Sequence, residues 1–353
     1  MKYTCVDGFS GAGGLSLGLD RAGFRVVFGF DNDPTSINTQ RINKKYFGHV
    51  TANMDVNDLL RKDALLRTIG LRRGELFLLA GGPPCQGFSV QRIGKDADER
   101  NRLVLKFGLL VKQARPKFFL MENVPGLLGM RGKGVLKSFL STVHDCGYTP
   151  YLEVLNAEDY GVPQRRKRVF VVGIRNDLHK RKFEFPEAKT LGKNRVTVRD
   201  VIGKLPRPPE DGTEHTVIRH HRRDRLSRLN LARLRALKPG QGREHLPLRL
   251  LADCHRVSAD RIGHRNVYGR MAWNDVAPTI TARFDSFTRG QFGHPVQDRS
   301  ITLREGAILQ TFPRDFVFSG NKVDVARQIG NAVPPRLAEI VGRQILRYYK
   351  SVL

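Results

Sequence analysis

One cysteine of the chain stands in a loop that suits nucleophilic chemistry. Cys85 lies in the segment Gly81-Gly82-Pro83-Pro84-Cys85-Gln86-Gly87-Phe88-Ser89, directly after the apolar run from Leu76 to Ala80. Most lone cysteines are inert, buried apolar side chains, and composition alone leaves that alternative open. The glycines and prolines would hold the thiol in one place, and a positively charged chain would stabilise the thiolate, which is the reactive form. The loop therefore predicts a cysteine nucleophile at the end of a strand.

A glycine-rich turn near the start of the chain could approach a cofactor closely. The segment Asp7-Gly8-Phe9-Ser10-Gly11-Ala12-Gly13-Gly14 follows a predicted strand and opens a predicted helix, as a nucleotide-binding turn must. Its spacing is not GxGxxG, and glycine turns after strands also serve packing alone. Asp31 ends the second predicted strand, where a carboxylate could accept hydrogen bonds from ribose hydroxyls. Asp33 is the competing candidate for that role.

An acidic residue and a group of basic residues stand at the ends of later strands. Glu122 closes the apolar run that begins at Phe118, and a buried carboxylate there is costly unless it is paired or used. It is a candidate proton donor or hydrogen-bond partner, and a capping or turn role is the alternative. In Gln164-Arg165-Arg166-Lys167-Arg168, alternation places Arg166 and Arg168 on one side of a strand. They are either a pair of arginines aimed at the site or an exposed basic strand edge.

The elements that must position these residues alternate between short apolar runs and amphipathic stretches. That pattern predicts an α/β fold with a mostly parallel sheet, in which ligands gather at the carboxyl ends of the strands. The predicted strands are Tyr3 to Val6, Val26 to Phe30, Leu76 to Ala80, Phe118 to Glu122 and Val169 to Ile174. The predicted helices are Leu15 to Ala22, Ser36 to Lys45, Leu103 to Gln113, Leu136 to Cys146 and the terminal Arg336 to Tyr349.

Composition narrows the class of protein and its partner. The 353 residues are 40% hydrophobic and 27% charged, as in an ordinary globular protein, and no apolar run approaches the roughly 20 residues of a membrane span. The polar, acidic start does not resemble a signal peptide, so a cytoplasmic protein is expected. A net charge of +27 predicts a polyanionic partner, nucleic acid above all, although charge alone leaves an anionic membrane open. The four cysteines form no CxxC pair, so we expect free thiols and no metal site.

A basic segment separates two parts of the predicted sheet fold. Residues 186–274 are rich in Arg, His and Leu, and we predict that they form a smaller inserted domain between catalytic parts at 1–185 and 275–353. A solvated basic helix face is the usual explanation of such a run, but the charge of the whole chain favours phosphate contact, with Arg222 and Arg223 as candidates. The densest cluster is Arg219, His220, His221, Arg222, Arg223, Arg225 and Arg228.

Taken together, these segments resemble the motifs of the C5-cytosine-specific DNA methyltransferase family, in its prokaryotic form. The resemblance rests on blocks that occur in the family's order and cover nearly the whole chain apart from the basic insertion. Those blocks are Phe9-Ser-Gly-Ala-Gly-Gly14, Pro83-Pro-Cys-Gln86, Glu122-Asn-Val124, Gln164-Arg-Arg-Lys-Arg168, Arg299-Ser-Ile-Thr302 through Glu305, Leu309-Gln-Thr-Phe-Pro313 and Gln328-Ile-Gly-Asn-Ala-Val-Pro-Pro335.

The resemblance implies a fold, a reaction and site residues. The fold would be the Rossmann-like S-adenosylmethionine-dependent methyltransferase fold, with the C-terminal helix packed beside the glycine turn and a target-recognition domain in the insertion. The reaction would transfer a methyl group to carbon 5 of a flipped cytosine in double-stranded DNA through a Cys85 adduct, assisted by Glu122, Arg166 and Arg168. The implied cofactor-binding residues are Phe9, Ser10, Gly11, Gly13, Gly14, Asp31, Asn32, Asp55, Val56, Pro83, Asn331 and Val333.

The same resemblance implies which residues contact DNA, and where and with which partners the protein acts. Gln86, Ser89 and Arg92, in the loop after the nucleophile, are expected to close over phosphates and the vacated base stack. We expect a monomer in the cytoplasm of a bacterium, phage or archaeon, associated with the nucleoid through DNA, and the sequence leaves open whether a cognate restriction endonuclease acts on the same site. The family often has an aromatic residue after the ribose-binding acid, whereas this chain has Asn32, so stacking on adenine is expected from Phe9 or Val56.

Three rival functions explain part of the sequence. A tRNA cytosine-5 methyltransferase would use the same chemistry, but the arginine-rich insertion favours DNA and the Cys-Phe-Thr tripeptide of those relatives is absent. A regulatory protein descended from such an enzyme would have lost its nucleophile or acid, and Cys85 and Glu122 are both present. A nicotinamide oxidoreductase would explain the glycine turn but not the cysteine loop.

Overall fold

The computed structural model describes residues 3–84, 102–253, 256 and 267–353 of the chain. It divides into two compact units. The first unit comprises Met1–Asn156, Lys167–Ala188 and Ala332–Leu353, and the second unit comprises Ala157–Arg166 and Lys189–Asn331.

A seven-stranded sheet forms the centre of the first unit. Its strands are hydrogen-bonded in the order β3-β2-β1-β4-β5-β7-β6. The five strands from β3 to β5 run parallel, while β7 pairs antiparallel with both β5 and β6. The predicted mixed α/β architecture and mostly parallel sheet are therefore confirmed. The strands are β1 Thr4–Gly8, β2 Arg25–Asp31, β3 Val50–Asn53, β4 Leu78–Gly81, β5 Phe118–Asn123, β6 Tyr148–Asn156 and β7 Lys167–Arg175.

Helices follow the parallel strands, as the sequence pattern predicted. All five predicted helices are present, although the fourth begins six residues before the predicted Leu136. The first-unit helices are α1 Gly14–Ala22, α2 Pro34–Ile42, α3 Val56–Leu60, α4 Ala64–Ile69, α5 Arg102–Ala114, α6 Met130–Asp145 and α11 Pro335–Val352, and those of the second unit are α7 Val198–Ile202, α8 Arg228–Arg235, α9 Leu303–Leu309 and α10 Lys322–Asn331.

The strand order reverses between β1 and β4, which puts a crevice at the carboxyl ends of these two strands. The core beneath this edge is apolar, and fully buried side chains such as Leu79, Phe107 and Phe119 belong to it. The last helix, α11, packs against α1, which follows the glycine turn. A Cβ at Gly18 would lie 2.4 Å from the Cβ of Ala338, so only glycine permits the two helices to approach this closely.

Buried arginines hold the irregular segments of the second unit together. Arg270 donates hydrogen bonds to four backbone carbonyls and to the carboxylate of Asp298. Arg299 forms two bonds of 2.7 Å with Glu305, whose pKa they hold below its usual value although burial opposes this. These guanidinium groups satisfy carbonyls that the sparse secondary structure leaves unpaired. Part of the net positive charge therefore stabilises the fold.

The second unit is larger than the insertion predicted from the sequence. It contains almost all of residues 186–274 and also takes in 157–166 and 275–331, because these segments bond to it. One such bond joins Lys189 N–H to the Asp159 carbonyl at 3.0 Å. The role of residues 186–274 as a target-recognition domain stays a prediction. In the part of the chain that the structure describes, no helix is long and apolar enough to cross a membrane.

Candidate active site

The glycine turn at the end of β1 folds back on the end of β2. Ser10 N–H donates to the Phe30 carbonyl at 3.0 Å, and Gly11 N–H donates to Oδ2 of Asp31 at 2.8 Å. Gly11 and Gly13 adopt left-handed backbone conformations with φ of 52° and 84°. A Cβ at Gly11 would meet no heavy atom within 4 Å among the described residues, so the backbone here faces open space. The turn is thus shaped to bring its peptide groups against a ligand.

Asp31 and Asp33, the two candidate carboxylates at the end of β2, form different hydrogen bonds. Asp33 is the N-cap of α2: its Oδ1 accepts from Thr35 N–H at 3.2 Å and its Oδ2 accepts from the Ser36 hydroxyl at 2.7 Å. Asp31 accepts from the N–H groups of Gly11 and Asp33, and burial raises its pKa. Asp33 therefore serves the helix, whereas Asp31 lies beside the glycine turn.

Three further residues stabilise the turn from beneath. Gln40 on α2 donates to the Ser10 hydroxyl and to the Gly11 carbonyl, both at 2.8 Å. Asp7 is fully buried and accepts from the Ser16 hydroxyl at 2.5 Å. Burial raises the pKa of Asp7 to about 7. Sequence reasoning missed Gln40 and Ser16, and the only signal was a polar residue on the inner face of each predicted helix.

The segment that leads into Cys85 is fixed to its neighbouring strands. Gly82 N–H donates to the Gly8 carbonyl at 3.3 Å, and the side-chain amide of Asn123 donates to the Pro83 carbonyl at 3.1 Å. The predicted nucleophile Cys85 and the predicted DNA contacts Gln86, Ser89 and Arg92 lie outside the described residues. The structure therefore describes this loop only up to Pro84, at the edge where β1, β4 and β5 end.

Glu122 and Arg168 form an ion pair at this edge. Nε of Arg168 lies 2.9 Å from Oε1 of Glu122, and the two side chains are only 14% and 10% exposed. Burial lowers the pKa of Arg168, while the adjacent carboxylate opposes that shift. A Cβ at Gly82 would lie 3.3 Å from Oε2 of Glu122, so the carboxylate is immediately beside the segment that leads into Cys85.

The other residues of the arginine-rich segment alternate as the sequence predicted, with Gln164 and Arg166 buried and Arg165 and Lys167 exposed. Arg166 belongs to the second unit, where Nη1 donates to the Ile280 carbonyl at 2.9 Å and Nη2 to the Gly330 carbonyl at 3.0 Å. These bonds account for its burial. A direct contact between Arg166 and the base stays a prediction.

The remaining predicted cofactor residues differ in exposure. Asn32 is exposed, and so is Asp55, which caps α3 by accepting from Asn57 N–H at 2.8 Å. Phe9 is half-buried, with its ring centroid 5.6 Å from that of Phe30. Val56 is 2% exposed and packs in the core of the first unit. Val333 is buried in that unit too, whereas Asn331 is an exposed residue at the end of α10 in the second unit.

The basic cluster of the second unit is not a helix face, because α8 begins only at Arg228 and the preceding residues are irregular. His221 is fully buried and bonds the hydroxyl of Thr302 at 2.9 Å and the carbonyl of Pro206 at 2.8 Å. Of the two predicted DNA contacts here, Arg222 is exposed and Arg223 is half-buried. The alternative of a solvated basic helix does not describe this segment.

Comparison with known proteins identifies the family to which the chain belongs. The family model described as C-5 cytosine-specific DNA methylase matches residues 3–347, and the chain belongs to that family. It is 34% identical to the type II methylase M.HgiDII of Herpetosiphon aurantiacus, across 100% of this chain and 97% of that protein. It is 36% identical to the type II methyltransferase M1.HphI of Haemophilus parahaemolyticus, across 98% of this chain and 87% of that protein.

Solved structures agree with the fold. A DNA modification methyltransferase encoded within an E. coli prophage superposes with a TM-score of 0.73 at 28% identity, covering 98% of this chain and 99% of that one. The Dnmt2 methyltransferase of S. pombe, at 18% identity and a TM-score of 0.61, shares the fold. The Rossmann-like methyltransferase fold predicted from the motifs is therefore confirmed.

Membership of this family settles the activity. The protein is an enzyme that methylates carbon 5 of cytosine in DNA, and the tRNA alternative is not favoured because the matching family is one of DNA methylases. A methyltransferase of this family implies S-adenosylmethionine as cosubstrate. The open glycine turn and the carboxylate of Asp31 fit a molecule with a ribose and a polar amino-acid portion. Among the described residues, no group of three or more His, Cys, Asp or Glu side chains could hold a metal ion.

Proposed function

We propose that this DNA cytosine-5 methyltransferase works through a covalent adduct on Cys85, with the Glu122 and Arg168 pair as its electrostatic partner. The observation that carries the proposal is the position of this pair beside Gly82, at the edge where the segment leading into Cys85 leaves β4. A nucleophile, an acid and a cation would then lie together around one base. These are the groups that addition to a pyrimidine ring requires.

The chemistry begins with an unreactive ring. Carbon 5 of cytosine is a poor nucleophile until the Cys85 thiolate adds to carbon 6, which breaks the 5,6 double bond and pushes its electron pair toward carbon 5. Glu122 bonds or protonates ring nitrogen 3, so the charge that develops there is stabilised. Carbon 5 then takes up the methyl group with this electron pair, after which removal of its remaining proton by a base and expulsion of the thiolate restore the aromatic ring. Arg168 holds the Glu122 carboxylate in place through this cycle.

Arg166 has a separate proposed role in the same reaction. We propose that it acts as a positioning residue, because its guanidinium already donates to the carbonyls of Ile280 and Gly330. In the alternative role, Arg166 also donates to the carbonyl of the base, and the two roles predict different effects of substituting Arg166. Loss of the anchor would lower stability, whereas loss of a base contact would lower the rate of the folded enzyme.

S-adenosylmethionine, when bound, supplies an electrophilic methyl group on a sulfonium centre. We propose that Asp31 accepts hydrogen bonds from its ribose hydroxyls and that the backbone of the glycine turn lies against its amino-acid portion. Phe9 would pack on the adenine, and the other proposed contacts use exposed or backbone groups. These are Ser10, Gly11, Gly13, Gly14, Asn32, Asp55, Val56, Pro83, Asn331 and Val333. No metal is invoked in this proposal.

Double-stranded DNA reaches such a site only if the target base leaves the stack, which costs a few kcal/mol. We propose that Gln86, Ser89 and Arg92 offset this cost by closing on phosphates and on the vacated stack. Residues 186–274 would read the sequence, with Arg222 and Arg223 on the backbone. We also propose that the protein acts as a monomer in the cytoplasm, on nucleoid DNA, beside a restriction endonuclease of the same specificity.

The direct test is methyl transfer in solution. Purified protein should move tritiated methyl groups from S-adenosylmethionine to duplex genomic DNA, and Cys85→Ala should remove this activity while Cys146→Ala, a matched loss of a free thiol, should retain it. Full transfer by the Cys85→Ala variant would overturn the proposed mechanism.

A further inference from the structure

A cluster of cations lies on the first unit at the end of the sheet opposite the active site. The cations lie in the segments that precede β4 and β5 and in the segment that follows β7. Arg73 donates to the Lys112 carbonyl at 3.4 Å, and Arg175 donates to the carbonyls of Gly74 and Arg115 at 3.1 and 3.0 Å. These bonds place the three segments side by side. We call Arg73, Lys112, Arg115, Lys117 and Arg181 the rear basic patch.

The aromatic end of α11 connects the two halves of the patch. Nζ of Lys117 bonds the Tyr349 hydroxyl at 3.2 Å and lies 5.3 Å from the centre of that ring. The Arg181 guanidinium bonds the Ser351 hydroxyl and lies over the Tyr348 ring at 5.8 Å. The side chains of Lys117 and Arg181 are therefore held in place by the last turn of α11.

Cations outnumber carboxylates at this edge. Asp177 is occupied by Arg175, with bonds of 2.7 and 2.9 Å, and Glu75 accepts from Arg72 N–H at 2.8 Å. In the described ranges, Arg73 and Lys112 form no ion pair with a carboxylate, while Arg115 attracts Asp177 at longer range and adds a minor contribution to the lowered pKa of that carboxyl. Like charges held together on rigid segments repel one another, so a polyanion bound here would lower the energy of the surface.

The patch lies far from the edge of the sheet at which the target cytosine is methylated. Arg168, at the active-site edge, and Arg175, at the rear edge, are seven residues apart on the same strand, β7, and that separation is roughly 24 Å at about 3.4 Å per residue. Duplex DNA is stiff over about 150 bp, so a short duplex over the active site cannot bend round to the opposite edge of the sheet. Only a second segment of DNA could occupy both places at once.

We propose that the rear basic patch binds the phosphate backbone of a second duplex DNA segment, so that one protein molecule can hold two segments. DNA is the polyanion that this enzyme already binds as its substrate. Contacts of Arg and Lys with phosphates do not depend on the nucleotide sequence. On long DNA this contact keeps the enzyme attached while the active-site edge changes position. The inference does not depend on the Cys85 mechanism.

A capture experiment tests it. A biotin-labelled duplex of about 30 bp, too short to bend round the sheet, is fixed to beads, full-length protein is added, and capture of a fluorescent duplex of equal length is measured against salt. The variant Arg73→Gln/Lys112→Gln/Arg115→Asn should lose most of the capture. Its salt dependence should become shallower by about one unit of slope for each phosphate that the variant no longer binds. The control Arg41→Gln/Lys44→Gln/Lys45→Gln removes the same charge from exposed residues around the end of α2 and should capture like the wild type.

The readouts separate this inference from the others. Thermal melting and methyl transfer to the short duplex should be unchanged in the patch variant, and a double variant, Arg73→Gln/Lys112→Gln, replaces it if the triple variant melts early. Equal capture by the patch variant and the wild type would overturn the proposal, as would selective capture of duplex RNA or of anionic vesicles. Loss of methyl transfer with intact capture would count against the proposed mechanism and not against the patch.

Discussion

The carboxylate of Glu122 and the guanidinium of Arg168 form an ion pair, with 2.9 Å between Oε1 and Nε, where β5 ends and β7 begins. Glu122 pairs with Phe170 across the antiparallel ladder, so the register of the two strands brings Arg168 to its side. Because both side chains are nearly buried, their geometry is set by the sheet itself. The pair is thus a nearly buried charged feature of the candidate active site.

Loss of Arg168 should therefore lower the rate of methyl transfer more than it lowers the stability of the sheet. Arg168→Ala removes the group that holds Glu122, and we expect methyl transfer to fall by about 100-fold, the scale seen when a preorganised electrostatic contact is removed. Arg168→Lys keeps the charge and should recover part of the rate. The control is Arg165→Ala, three residues earlier in the chain at an exposed position paired with Asp275, and it should stay near wild type. Equal rates for the Arg168 and Arg165 variants, measured as kcat, would refute this role.

Arg166 should behave differently from Arg168. Arg166→Ala leaves the buried carbonyls of Ile280 and Gly330 without their donor, and we expect the free energy of unfolding to fall by about 3 kcal/mol. Urea unfolding measures this directly. At a temperature where the variant is still folded, kcat should be within a few-fold of wild type if Arg166 only positions, and a loss as large as that of Arg168→Ala would instead favour a direct contact with the base.

Asp31 should control affinity for the methyl donor. Asp31→Ala removes the carboxylate that faces the glycine turn, and we expect the Kd of S-adenosylhomocysteine in calorimetry to rise by at least about tenfold, since hydrogen bonds to charged groups contribute about 1.5 to 3 kcal/mol. Asp33→Ala is the matched control: it removes the cap of α2 and should cost about 1 kcal/mol of stability. If the Asp33 variant lost the ligand and the Asp31 variant kept it, the assignment would be reversed.

Asp7 should make stability depend on pH. Burial raises its pKa from 3.8 to about 7, so between these values the folded protein keeps a proton that the unfolded chain has lost. The contribution is favourable at low pH and is lost as the pH rises through about 7, with a slope of at most about 1.4 kcal/mol per pH unit. Asp7→Asn lacks this titration, so its urea-derived free energy should fall less than that of the wild type between about pH 5 and 7. Parallel curves for the two proteins would show that Asp7 does not titrate in this range.

The sequence predicted the central strands well because their apolar runs are buried on both faces. It missed β3 and β6, and the reasons are physical. Val50–Asn53 is a four-residue strand at one edge of the sheet and buries none of its side chains fully, while β6, at the other edge, is partly exposed and contains Pro150. Edge strands have one free side, so their sequences carry a weak apolar pattern and tolerate proline.

The site was predicted in part, because motif residues could be placed on strand ends but their partners could not. Asp33 competed with Asp31 for the ribose-binding role, and the structure shows Asp33 capping α2. The bonds of Gln40 to the glycine turn depend on tertiary packing that spacing does not reveal. The net positive charge predicts DNA contact, but part of it has a structural role. Buried arginines such as Arg270 and Arg304 donate hydrogen bonds to backbone carbonyls.

The most direct test of the account is the nucleoside composition of DNA from cells that express the protein. Mass spectrometry of digested DNA should detect 5-methyldeoxycytidine with the wild type and none above background with Cys85→Ala at equal protein level, because without the thiolate carbon 5 is not activated. Cys146→Ala should give the wild-type amount. Wild-type levels of 5-methyldeoxycytidine from the Cys85→Ala variant would contradict the central claim that methylation proceeds through this cysteine.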